Sequence, residues 1–131
     1  MTLEPWTLSR LFTQLVESGE SNCIAVACML CPKNLLDSAA RLAETDAVFR
    51  RVDVCQGLSV YVVKGRGDKE YILIPGKFCS CHYFQENVVN RGEGWTCKHD
   101  LGLRLRIGIR GGNSITITTE GKNEVLKYLV Q

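Results

Sequence analysis

Leu8, Leu11, Phe12, Leu15 and Val16 recur at the i, i+3, i+4, i+7, i+8 spacing of an amphipathic helix. Pro5 suits its first turn and Gly19 its exit. The next stretch, NCIAVACMLCP, is apolar almost all round and predicts a buried helix, with Pro32 ending it or opening the next. Leu35, Leu36, Ala39, Leu42 and Ala43 form a third apolar helical face. The pattern then changes. AVFRRVDVC, LSVYVVK and EYILIP are short and rich in Val, Ile, Tyr and Phe, which predicts three strands. Gln56 and Gly57 separate the first two, and the glycine-rich turn GRGD, residues 65–68, separates the second from the third. An antiparallel meander is expected.

The last third carries two conflicting periods. In DLGLRLRIGIR, Leu101, Leu103, Leu105, Ile107 and Ile109 alternate with Gly102, Arg104, Arg106, Gly108 and Arg110, which reads as a strand leading through a GGN hairpin turn into SITITT. Yet Leu and Arg are good helix formers, and Leu101, Leu105 and Ile109 fall on one helical face. The end, TEGKNEVLKYLVQ, reads as a short helix with Val125, Leu126, Leu129 and Val130 on its apolar side. The expected class is α+β in a single domain, 1–131. It comprises a helical part (1–46), a β-meander running into a cysteine cluster (47–110) and a C-terminal segment with a short helix (111–131).

Composition narrows the class of function. The 131 residues suffice for one real core, and 45% hydrophobic with 23% charged residues argues against disorder. No apolar run reaches the roughly 18 residues that cross a bilayer, and Glu4 and Pro5 stand where a signal peptide would be basic and then apolar. An intracellular protein without a membrane role is expected. Seven cysteines, an odd number, then suggest free thiols and a metal site in place of a disulfide framework. A net charge of +2 neither demands nor excludes nucleic acid.

The chemistry concentrates in FCSCHYFQENVVNRGEGWTCKHDLG, residues 78–102. Cys79-Ser80-Cys81 is followed, after fifteen residues, by Cys97-Lys98-His99. Two close pairs of soft ligands flanking a loop suit one tetrahedral zinc ion. The single-residue spacer asks for an extended, knuckle-like backbone at the first pair, and Gly92 and Gly94 let the second pair swing back. A thioredoxin-like redox motif needs two residues between its cysteines, and Cys79 and Cys81 have one. A catalytic zinc keeps an open position. Four protein ligands imply a closed structural site and no enzymatic activity.

The pattern Cys-x-Cys, fifteen residues, Cys-x-His resembles the SWIM zinc finger, and its one-residue spacers make that signature fairly specific. The order of LLDSAARLAETDAVFRRVDV, LSVYVVKG, EYILIPGKFCSC and WTCKHDLGLRL is similar to the SWIM-domain subunits of the eukaryotic Shu complex over about residues 30–110. The resemblance implies a nuclear, non-enzymatic homologous-recombination factor. It would heterodimerise with a recombinase paralogue and promote or stabilise recombinase filaments on single-stranded DNA in DNA repair. It also implies that the zinc ligands are Cys79, Cys81, Cys97 and His99, and that a helix follows them over residues 98–109. His82 stands where the family often has a small residue or proline, and is expected to be a bystander. The alternative is a SWIM DNA-binding or protein-interaction adaptor in a transposase-like or transcriptional setting.

Other features have plainer readings beside sharper ones. Arg91, Lys98, Arg104, Arg106 and Arg110 are candidate DNA or partner contacts, or else a solvated face. Trp95 is expected to pack over the zinc site, and Phe78, Tyr83 and Phe84 to belong to the core. Cys28 and Cys31 have zinc-like spacing but lie in an apolar helical stretch, and read as core. Cys23 and Cys55 have no partner in the sequence and read as structural. The Arg66-Gly67-Asp68 tripeptide reads as a turn.

Overall fold

The structure, a computed structural model, describes residues 31–55 and 57–126. The two helices expected before residue 31, together with Cys23, Cys28, Leu129 and Val130, lie outside the described residues. The chain is α+β. Helix α1 (Lys33–Glu44) precedes strands β1 (Phe49–Cys55), β2 (Leu58–Lys64), β3 (Glu70–Ile74) and β4 (Phe78–Cys79). A π-helical segment, Phe84–Asn90, leads to helix α2 (Lys98–Arg110), strand β5 (Thr116–Thr119) and the short helix α3 (Lys122–Leu126).

The sheet runs in the order β4-β3-β2-β1-β5. The expected meander is present: β1 pairs antiparallel with β2, and β2 with β3. The hairpin expected at GGN is not formed. Gly112–Ser114 is a 3₁₀ turn, and β5 pairs parallel with β1 at the far edge, Arg50 opposite Thr116. The cause lies upstream. Because 98–110 is a helix, β5 has no antiparallel neighbour in sequence, and α2 acts as the crossover between β4 and β5.

Both faces of the meander are covered, which explains its nearly unbroken apolar runs. Phe49, Val63, Leu73, Cys79 and Leu103 meet on one face. Val52, Val60, Val62 and Ile72 meet on the other, where Val125 of α3 packs. Leu126 is exposed, so only part of the apolar side expected for this helix is used by its described residues.

Helix α2 resolves the conflict of periods. Every residue from His99 to Arg106 is buried. Leu103 and Ile107 pack toward the sheet, whereas Leu101 and Leu105 pack with Ala39, Ala43 and Trp95 against α1. Each pair is spaced i, i+4, as a helix requires. The interposed arginines are not a solvent face. Arg104 bonds Asp100 within α2. Arg106 donates to the carbonyl oxygens of Ala43 (2.9 Å) and Thr45 (3.3 Å) and pairs with Asp46 (2.9 Å). A guanidinium on the last carbonyls of α1 satisfies groups the helix leaves open and complements its dipole. Asp46 is held below the usual carboxylate range, chiefly by the hydrogen bond from Arg106.

Gly102 sets the distance between the two helices. A Cβ there would lie 3.0 Å from the Ala39 carbonyl oxygen and 3.2 Å from Leu42 Cβ. The backbone oxygen cannot rotate away, so a larger residue must push α1 off α2. Gly102→Val should therefore lower folding stability by roughly 1–3 kcal/mol, read from the midpoint of chemical denaturation. An unchanged midpoint would contradict the close approach.

Candidate metal centre

Cys79, the last residue of β4, is fully buried and lies opposite Leu73 in the β3–β4 register, so its side chain points to the face that α2 covers. The backbone stays paired one residue further. Ser80 N–H donates to Ile72 O, and Ser80 Oγ accepts from Ile72 N–H, both at 3.0 Å. Successive side chains of an extended chain alternate in direction. Cys81 therefore returns to the side of Cys79, and the single spacer residue is a requirement of this geometry. The chain then turns, with Phe84 N–H donating to Cys81 Sγ at 3.4 Å.

The second pair comes from the start of α2. Cys97 is its N-cap residue in an extended conformation, and its sulfur accepts from Asp100 N–H at 3.4 Å. His99 follows inside the first turn and is buried. Its Nδ1 lies 3.9 Å from Cys79 Sγ, and its ring packs at 5.1 Å from the ring of Tyr71. The loop closes as expected at its glycines. Gly92 adopts a φ of 64°, and Glu93 and Gly94 N–H both donate to Asn87 O.

The donor atoms of Cys79, Cys81, Cys97 and His99 all lie within 4.8 Å of one another, and all four residues are buried. A tetrahedral ion with metal–sulfur bonds of about 2.3 Å holds its sulfurs about 3.8 Å apart. Small side-chain shifts close the rest, so the four residues fit a metal ion. His82 is exposed and stands outside this group.

The electrostatics of the three thiols point the same way. The Cys81 thiol is held far below its ordinary range by hydrogen bonds from Cys79 and then Cys97. The Cys79 thiol is pushed up to about 12, first by its hydrogen bond to Cys81. The Cys97 thiol is pushed well above its ordinary range by hydrogen bonds to Cys79 and Cys81 and by burial. One buried thiolate is tolerated there and the other two protons are held back. Only a cation lets all three sulfurs ionise together.

Asp100, which sequence reasoning missed, ties the two halves of the centre. Its carboxylate accepts from Gly76 N–H (2.9 Å), Thr96 Oγ1 (2.7 Å) and Arg104 Nε (3.1 Å), and pairs with Arg104 Nη2. Gly76, with a φ of 76°, follows Pro75 in the turn between β3 and β4, where Lys77 N–H donates to Ile74 O. One buried carboxylate thus fastens the strand pair carrying Cys79 to the helix carrying Cys97 and His99. A signal existed in the chain: an acid in the first turn of a helix, four residues before an arginine.

The other expected residues are dispersed. Arg104 and Arg106 are buried and committed to Asp100 and to the end of α1. Arg91 is exposed and pairs with Glu86, Arg110 pairs with Asp46, and Lys98 is exposed beside the centre. Among the described residues Trp95 clusters apart from Cys79, Cys81 and Cys97. It lies in the α1–α2 cluster, with the Arg104 guanidinium 5.5 Å from its ring centroid. Phe84 is buried and Phe78 half-buried, but Tyr83 is exposed. Cys31 is half-buried against the α1–α2 cluster, as a core residue would be.

Comparison with family models, curated proteins and solved structures finds no match to this chain.

Two predictions follow from the centre's chemistry. In the metal-free cluster Cys79 and Cys97 are shifted toward the protonated thiol and Cys81 toward the thiolate. Each ion taken up should then release about two protons, and affinity should fall as pH falls and protons compete for the sulfurs. Calorimetry in buffers of different ionisation enthalpy reads this number, and uptake without proton release would contradict it. Asp100→Ala strands a buried guanidinium and should cost about 3–5 kcal/mol in denaturation. Metal affinity should fall about 10–100-fold with it. A variant of unchanged stability would show that the carboxylate does not hold the halves together.

Proposed function

We propose that this chain is a SWIM-type zinc-finger protein in which one zinc ion has a structural role. The observation that carries the reading is the buried Cys3His group built from a strand-edge Cys-x-Cys knuckle and a helix-capping Cys-x-His. Three cysteine sulfurs and an imidazole this close together are a zinc donor set, and four protein ligands leave no open position for a substrate. The zinc acts geometrically. It joins the edge of the sheet to the start of α2, and so fixes the surface that the knuckle, the Phe84–Asn90 segment and α2 present together.

On the resemblance of the motif and its order in the chain, that surface serves homologous recombination. The protein is a non-enzymatic, nuclear subunit that heterodimerises with a recombinase paralogue and stabilises recombinase filaments on single-stranded DNA. The alternative is a SWIM DNA-binding or protein-interaction adaptor in a transposase-like or transcriptional setting, two of whose candidate DNA contacts, Arg104 and Arg106, are buried.

Affinity purification of the tagged chain should recover a recombinase-like ATPase subunit at about equal stoichiometry. Cys97→Ser removes the N-cap sulfur of α2 as well as a ligand, and should abolish both zinc content and partner recovery, because metal binding and local folding are coupled. Stoichiometric partner binding by a zinc-free variant would refute the proposal.

A further inference from the structure

Beside the metal centre lies an open pocket of about 520 Å³. It is bounded by the first half of α1, the β2–β3 turn and the knuckle with the first residues of α2; Cys81 and His99 form part of its wall. Three cations line it: Arg66 and Lys69 from the turn and Lys98 from α2. All three are exposed, and none forms an ion pair with another described residue. Among the described residues no Asp or Glu lines the pocket, and α1 brings no acidic residue in its first turn. A zinc ion bound by three thiolates and an imidazole would carry one net negative charge, which three cations exceed. His82 and two tyrosines complete the chemistry. Tyr71 is fixed against His99 and under Gly65, where a Cβ would lie 2.5 Å from its ring. Tyr83 is 44% exposed and lines the same pocket as the three cations.

Cations without acids select an anion, and an exposed ring among them selects an anion that carries a planar base. We infer that this pocket holds a nucleotide unit of a single-stranded nucleic acid, its phosphates against Arg66, Lys69 and Lys98 and a base stacked on Tyr83. The inference deepens the proposed function by giving this subunit its own contact with the strand. It uses a turn and a knuckle residue in place of the buried arginines of α2.

The test is fluorescence anisotropy of the zinc-loaded full chain with a labelled single-stranded oligonucleotide across a salt series. Arg66→Ala/Lys69→Ala, on an exposed turn that supplies no metal ligand, should weaken binding about tenfold at low salt. It should also flatten the slope of log affinity against log salt by about 1.4, the share of two phosphate contacts. Tyr83→Ala should weaken binding about fivefold or more at every salt concentration. Zinc content and circular dichroism of the variants must match the parent, and partner recovery by Arg66→Ala/Lys69→Ala, outside the knuckle surface, should be unchanged, so failure here is distinguishable from failure of the heterodimer reading. No binding by the parent chain at low salt, or full binding by the double variant, would overturn the inference. A free nucleoside monophosphate competing as well as the oligonucleotide would also overturn it, assigning the pocket to a small nucleotide.

Discussion

A single buried carboxylate connects the parts of this molecule that must not move relative to one another. Asp100 accepts hydrogen bonds from the β3–β4 turn at Gly76, from Thr96 just before α2, and from Arg104 one turn along it. Its own backbone N–H reaches the Cys97 sulfur. Burying one charge is costly; burying it with a partner and several donors is tolerated and fixes a unique geometry. The strand pair and the helix each contribute one half of the four-donor group, so the separation that Asp100 sets is the separation between the ligand pairs. A metal ion would then close a cluster in which two of the three thiols are shifted toward the protonated form.

Much of this was legible in the chain. The four donors stand out because one-residue spacers are hard to obtain from core packing, and the register around Ser80 shows why one residue is required. The meander was readable because β-branched runs are broken by turn residues whose φ values are positive, as at Gly57 and Gly67. What period could not settle was residues 101–110. Helix α2 lies between the sheet and α1 and is buried nearly all round, so it has no polar stripe to give it a helical moment. Its arginines alternate with leucines for unrelated reasons, one serving Asp100 and the other the end of α1. The parallel β5 was hidden for the same reason, since a strand's partner across a crossover leaves no local mark. Position in sequence near the finger was a poor guide to exposure for Arg104, Arg106 and Tyr83 alike.

The burial of those arginines moves the positive surface of the finger to another place. The exposed cations beside the centre are Arg66 and Lys69 of the β2–β3 turn and Lys98, around a pocket whose wall includes two of the four donors. The glycine-rich turn therefore does more than reverse the chain. It carries two cations to the rim of the centre, while Gly65 makes room for the Tyr71 ring that supports His99.

The central claim is that Cys79, Cys81, Cys97 and His99 together hold one structural zinc ion. X-ray absorption at the zinc edge of the purified protein tests it most directly. The account predicts a four-coordinate shell of three sulfurs at about 2.3 Å and one nitrogen at about 2.0 Å. A shell dominated by oxygen, or one with fewer than three sulfurs, would contradict it.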